Sequence, residues 1–377
     1  MVKLALTRYT GEWNSDELLV TAPNQTYLTV AKAEDFYKQQ EAALMPVDLS
    51  ASVRRAYSLN PRQFMDALIS TLPDGQRIVH VHNSSGLTFT LLPDRGLDIW
   101  SAHFQGLPLT WLSMGAPHRA DYGSGWLRLF NGGLLTTCGF SHVGPPEQDD
   151  LSGEHRDIHG HATRLPAQGL AVLLDDDTLT IRAELVESRL FGEQLHVQRT
   201  YRLTLGKPSI TLTDSVTNRG DQPAPFMLLY HVNVGYPLVR AGSRLVIHSE
   251  VTARDEAAAA GLATWAHYDA PTPNYAEQVF FHKVRGQTHA QAALINDDLG
   301  LRLTWDTTHA PHFTQWKNTR QGLYVCGLEP GNCIPEGQNS ARRHGRLVTL
   351  APNEQQDFHV QLSVTRDAHT LAQWAQC

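Results

Sequence analysis

The stretch Leu179–Thr217, LTIRAELVESRLFGEQLHVQRTYRLTLGKPSITLTDSVT, decides the fold class. It holds three runs: Leu179–Glu187 (LTIRAELVE), Leu195–Thr204 (LHVQRTYRLT) and Ser209–Thr217 (SITLTDSVT). Apolar and polar residues alternate along them with the period of a strand that buries one face. Working outward, the same grammar recurs upstream in Arg77–His82, Leu87–Leu92 and Ile99–Phe104. It recurs downstream in Arg244–Ile247, Gln291–Ile295, Gly300–Trp305 and Phe358–Thr365. Turn clusters such as Asn-Ser-Ser-Gly and Pro-Asp-Arg-Gly separate the runs, as hairpins require. Strands succeed one another at about ten-residue spacing, and helical periodicity is absent over most of the chain. The pattern predicts an all-β protein, a large antiparallel sandwich without βαβ units.

Residues 1–76 read differently, as an N-terminal α/β appendage packed on a main domain of residues 77–377. Glu34–Leu44 and Arg62–Leu72 suit short helices, and Tyr27–Val30 (YLTV) a short strand. Ser113–Ala167 breaks the strand rhythm with Gly, Pro, Asp and His, yet Trp126, Phe130 and Phe140 are interleaved in it. A long loop region with aromatic anchors is expected to line a pocket. A second such region spans Arg254–Pro273, with a helical turn expected over Asp255–Gly261.

The composition narrows the function. Of 377 residues, 41% are hydrophobic and 18% charged, which is globular composition with a sizeable core. A net charge of −7 and the lack of a Lys/Arg cluster argue against nucleic acid as a partner. The four cysteines form no C-x-x-C pair, so neither a zinc ribbon nor a redox motif is indicated. No run reaches the ~18 apolar residues of a membrane helix, and the apolar run in MVKLALTRYT is short for a signal peptide. These features predict a soluble, cytoplasmic protein, and they leave monomer and homodimer both open.

Two apolar runs carry chemistry. Leu323–Asn332 (LYVCGLEPGN) places Glu329 ahead of Pro330–Gly331, where a strand is expected to stop. Phe226–Pro237 (FMLLYHVNVGYP) carries His231 and then Asn233. A buried carboxylate is costly unless something pairs or uses it, and a His and a Glu on strand edges make an acid/base pair if the fold joins them. The plainer alternatives are a hydrogen-bonded core histidine and a salt-bridged strand terminus.

Three further groups are candidates. His155, His159 and His161 suggest a metal, but Arg164 and Leu165 stand where a cupin-type carboxylate is needed, so no metal is assigned. Neutral imidazole, with one donor and one acceptor, suits sugar hydroxyls instead, and Gly160 would allow close approach of a ligand to the backbone. Asp94-Arg95-Gly96-Leu97-Asp98 offers Arg95 and Asp98 as forks onto hydroxyls, or else a local salt bridge. In His312–Lys317 (HFTQWK), Trp316 supplies a face for a pyranose, with Lys317 beside it, or else a core residue.

Together these residues resemble the aldose 1-epimerase (galactose mutarotase-like) superfamily. YHVNVGYP resembles that family's acid-histidine strand. GLEPGN resembles its glutamate strand in the form found in hexose-6-phosphate mutarotases. His159-Gly160, with Arg164 after it, resembles the H-G-F-A-R stretch of that branch, with one extra residue before the arginine. PDRGLDI and the His-rich loop resemble a branch described as a domain of unknown function. The resemblance covers about Arg77 to Thr365. It implies a β-supersandwich whose concave sheet holds a sugar, and catalysis of anomer interconversion without metal or redox cofactor. Glu329 would be the base and protonated His231 the acid, with His159, Arg164, Arg95, Asp98, Asn233, Trp316 and Lys317 binding the sugar. An additional aspartate that mutarotases often use has Asp306 as its candidate, by position. The competing readings are a non-catalytic carbohydrate-binding protein on the same scaffold and a metal-dependent isomerase or lyase of sugar acids.

Overall fold

The computed structural model describes residues 20–21, 27–28, 47–115, 123, 125–284 and 288–376. The chain forms two compact units, Met1–Arg54 and Arg55–Cys377. In the first, Val20–Thr21 pairs with Tyr27–Leu28 as a short antiparallel hairpin. The helix expected over Glu34–Leu44 lies outside the described residues.

The second unit begins well before Arg77, and the helix expected over Arg62–Leu72 is not one. Only Pro61–Gln63 forms a helical turn, and Asp66–Thr71 is a strand paired with Arg77–His82. The reason is the intervening Pro73-Asp74-Gly75. Gly75 takes φ +86°, and the Gly75 N–H donates to the Leu72 carbonyl, closing a hairpin.

The strand grammar holds throughout the body of the chain. Leu179–Glu187 lies within strand Thr178–Ser188, which pairs antiparallel with Gln194–Thr204, and that strand with Ser209–Asn218. These belong to an eight-stranded sheet that continues through Gln355–Thr365, Gly300–Asp306, His289–Ile295 and Arg244–Ile247. A seven-stranded sheet runs from Ser249–Ala253 through Gln278–Val284, His312–Arg320, Leu323–Gly331 and Ala224–Val234, with Thr136–Phe140 and Val348–Leu350 also paired to the last. A five-stranded meander covers Asp66 to Pro108. The pairings are antiparallel, and the architecture is the expected antiparallel β-supersandwich.

Strand Ala224–Val234 shows how the core positions the site. Phe226, Leu228, Tyr230 and Val232 point into the main core, shared with Leu212 and Phe358 of the eight-stranded sheet. Met227 and Leu229 point the other way, against Trp126, Cys138 and Val143. The period of two therefore puts His231 on the outer face. Likewise Cys326 and Leu328 face the core, which leaves Glu329 outward. No helix among the described residues is long and apolar enough to cross a membrane.

Candidate active site

His231 and Glu329 are cross-strand neighbours in the interior of the seven-stranded sheet, not groups on strand edges. The ladder sets Leu229 opposite Gly331 and Val232 opposite Leu328, so the register places His231 opposite Glu329. The strand does not stop at Glu329 but runs on to Gly331. Pro330, which has no N–H to give, lies between those two bridged pairs. On the far side Thr314 is opposite Glu329, and Thr136 is opposite His231. Four outward side chains thus form one row across four strands.

The His231 Nε2 lies 3.2 Å from the Glu329 Oε1. Burial governs both groups. It lowers the imidazole from its ordinary value to about 4. It raises the carboxyl to about 8, helped by the negative charge of Glu277 and opposed by Arg254. Near neutral pH the pair therefore holds its proton on Glu329, with His231 uncharged, the reverse of the starting assignment implied by the resemblance. Around them the His231 Nδ1, His159 Nδ1 and Trp126 Nε1 are buried without a hydrogen-bond partner. Each such atom costs about 1–3 kcal/mol, and sugar hydroxyls are groups that satisfy them.

The pair sits in a cleft of about 770 Å³. Its walls are aromatic. Trp126 stacks on Phe130 at 4.6 Å between ring centroids, Phe130 leads to Trp111 at 5.9 Å, and Trp111 to Trp316 at 6.1 Å. Trp316 then approaches His231 at 5.5 Å, and His159 closes the ring against Trp126 at 4.9 Å. His159 has φ +56° and is fixed by backbone hydrogen bonds to Gly144 and from Gly139. Burial pushes its imidazole down to about 3, so it is uncharged near neutral pH.

Of the candidate binding residues, His159 and Trp316 line the cleft with His231 and Glu329. The others do not, and each has a structural task. Arg164 donates to the Asp157 Oδ2 at 2.5 Å, and that same oxygen accepts from the Trp126 N–H at 2.8 Å. Arg95 donates to the Leu129 carbonyl at 2.8 Å. The two arginines thus hold opposite ends of helix Trp126–Leu129, whose side chains form a cleft wall. Asp98 accepts from the Thr137 N–H and hydroxyl and from Arg199, in a wholly buried cluster that also contains Asp214 and Tyr230. Asn233 is outward by register but covered, since its amide donates to the carbonyls of Gly133 and His231. Lys317 follows Trp316, so alternation turns it inward, where it donates to the Thr264 carbonyl and lies 5.4 Å from the Tyr268 ring centroid.

Two other expectations are corrected. Gly160 does not open the backbone to a ligand, because a Cβ there would meet the carbonyl oxygens of His142 at 2.5 Å and Gly139 at 2.6 Å. Asp306 lies in the eight-stranded sheet and accepts from the Thr308 N–H. The acid that does enter the cleft between the His and Glu strands is Glu277. Its Oε2 accepts from the Trp316 Nε1 at 2.8 Å, and its Oε1 accepts from Arg254 at 3.2 Å.

Residues 73–364 match the family described as Domain of unknown function (DUF4432). The chain belongs to this family. No curated protein matches the DUF4432 chain significantly. Among solved structures it is similar to a "putative aldose 1-epimerase" from Klebsiella pneumoniae, with 28% identity and a TM-score of 0.75 over 83% of this chain and 86% of that one. A galactose mutarotase-like protein from Clostridium acetobutylicum has 14% identity and a TM-score of 0.58, over 81% and 100%. Galactose 1-epimerase from Lactobacillus acidophilus has 13% identity and a TM-score of 0.54, over 80% and 98%. The last two likenesses establish the DUF4432 fold as galactose mutarotase-like.

Sequence reading passed over Trp111, Arg254 and Glu277 of this DUF4432 cleft. Arg254 opens the second loop region, where the Asp255 carboxylate caps helix Glu256–Ala260 as the expected helical turn. Nothing local distinguishes Glu277 from a solvated acid, because its role depends on pairing across to Trp316 (opposite Val279).

Proposed function

We propose that the chain is an aldose 1-epimerase that interconverts the α and β anomers of a sugar. The observation that carries this reading is the 3.2 Å contact between His231 and Glu329 at the floor of an aromatic-walled cleft. Ring opening of a hemiacetal requires one proton to leave O1 and another to reach O5. Those oxygens share one carbon, so the acid and the base must also be neighbours. In the proposed cycle His231 takes the O1 proton while the C1–O5 bond breaks. The bonding electrons leave on O5, which receives the Glu329 proton, and C1 becomes an aldehyde. Rotation about C1–C2 presents the other face, and the two transfers reverse. Midway the pair is an imidazolium and a carboxylate, a state their contact stabilises. In the closing half Glu329 is the base and His231 the acid, as in the assignment implied by the resemblance, but with the oxygens exchanged: Glu329 takes the proton from O5 and His231 returns one to O1.

Trp316 supports the reading as a platform for the C–H face of a pyranose, and His159 as a neutral partner for a hydroxyl. The described cysteines Cys138, Cys326 and Cys333 are free and buried, which suits a reducing, cytoplasmic setting. The test is anomer exchange followed by NMR on a panel of aldoses. Acceleration over buffer that is lost in Glu329→Gln and in His231→Asn, each at least ~10²-fold, is expected. Sugar binding without acceleration would replace this reading with a non-catalytic carbohydrate-binding protein.

A further inference from the structure

We infer that the sugar accepted by this cleft is uncharged, carrying no phosphate, sulfate or carboxylate. The inference rests on the sugar-site reading and deepens it. It also runs against the motif likeness of GLEPGN to hexose-6-phosphate mutarotases. Arg95, Arg164 and Lys317 are the cations among the binding residues that the resemblance implies. The fold turns all three away, onto the Leu129 carbonyl, Asp157 and the Thr264 carbonyl.

What remains is acidic. Among the described residues the Arg, Lys, Asp and Glu side chains lining the cleft are Arg254, Glu277, Glu329 and Glu336, three carboxyl groups to one guanidinium. Arg254 is already shared between two acids: its Nε donates to the Asp255 Oδ2 at 2.7 Å, and its terminal nitrogen to Glu277 at 3.2 Å. Burial works to lower its pKa, but these carboxylates raise it on balance. Glu336 also stays ionised: burial acts to raise it, but the hydrogen bonds from Arg346 and Ser340 outweigh that. A phosphate or uronate entering here loses hydration and meets the carboxylates of Glu277 and Glu336, and the one guanidinium among the described lining residues, Arg254, is already engaged by Asp255 and Glu277. Phosphate recognition needs the reverse, a cluster of arginines or a helix N-terminus with unused N–H groups. Hydroxyl groups suit the same lining, since they donate to Glu277 and accept from Arg254.

The test uses the wild-type chain. Trp111, Trp126 and Trp316 line the cleft, so their fluorescence reports occupancy. D-Glucose, D-galactose and D-mannose are titrated against their 6-phosphates and uronic acids at pH 7, with anomer exchange followed in parallel. At least one neutral sugar should bind ~10-fold or more tightly than its charged counterparts. The gap should narrow at least ~3-fold in Glu277→Gln, which removes a carboxylate and releases Arg254, and should shrink with added salt. A 6-phosphate or uronate that binds or turns over better than its neutral parent overturns the inference while leaving anomer exchange intact. Binding of neutral sugars without acceleration supports the inference and removes the proposed reaction. No binding by any sugar up to ~50 mM, where even a weak mM-range site would show, overturns both.

Discussion

Replacing Glu329 with glutamine should make the protein more stable and inactive at once. Burial raises the carboxyl from 4.5 to about 8. The folded state therefore holds the proton long after the unfolded chain has released it. The sign follows from linkage: this group adds nothing at low pH, where both states are protonated. It costs stability as pH rises from 4.5 towards 8, and the cost levels off above that. At pH 7 the unfolded carboxyl is about 2.5 units past its pKa, which amounts to a cost of about 3 kcal/mol at 1.36 kcal/mol per unit. Glutamine keeps the shape and cannot ionise, so it removes that cost. For a body of this size 3 kcal/mol corresponds to about 3–6 °C in Tm. The assay is thermal melting of both proteins at pH 5, 7 and 8.5, with anomer exchange measured on the same samples. The gain should be small at pH 5 and grow with pH. A variant that melts below wild type at pH 7, or a difference flat across pH, would refute the reasoning that Glu329 is held protonated by burial.

Further outcomes follow from the same geometry. The pH profile of anomer exchange should be a bell, falling below about 4 as His231 gains a proton and ceases to be a base, and above about 8 as Glu329 ceases to be an acid. Gly327→Ala should cut turnover sharply with the strands intact, because its Cβ would lie 2.6 Å from the Glu329 Oε1 and 3.3 Å from the His231 Cε1; kinetics alongside circular dichroism decide this. Gly139→Ala should instead compromise folding, since a Cβ there would lie 1.9 Å from the Met227 carbonyl oxygen at a backbone φ of +115°; soluble yield and Tm report it. Arg199→Met should strand Asp98 and Asp214 in the core and cost about 3–5 kcal/mol, read by urea unfolding. Lys317→Met should leave KM within about twofold, because its ammonium faces Thr264 and the Tyr268 ring.

The sequence by itself determined the strands, because period-two patterning and turn chemistry are local properties. It also determined that His231 and Glu329 would each lie on a strand and be costly to bury unused. Aromatic content in Ser113–Ala167 told correctly that this region would wall a pocket. The Arg62–Leu72 helix failed because the hairpin turn after it outweighed local propensity.

Only the tertiary structure decided which polar residues line the cleft. Arg95, Arg164, Asp98, Asn233 and Lys317 have the right chemistry for sugar binding. A charged group inside a protein, however, is taken by whatever partner the fold brings within hydrogen-bonding distance. For Arg164 that partner is Asp157, and for Arg95 the Leu129 carbonyl. Glu277, inconspicuous in sequence, enters the cleft because its strand neighbour Gln278 pairs opposite Lys317, beside Trp316. Patterning settles which face a side chain takes within one strand. Which strands become neighbours, and in what register, is set by contacts between residues far apart in the chain, and those contacts placed His231 opposite Glu329.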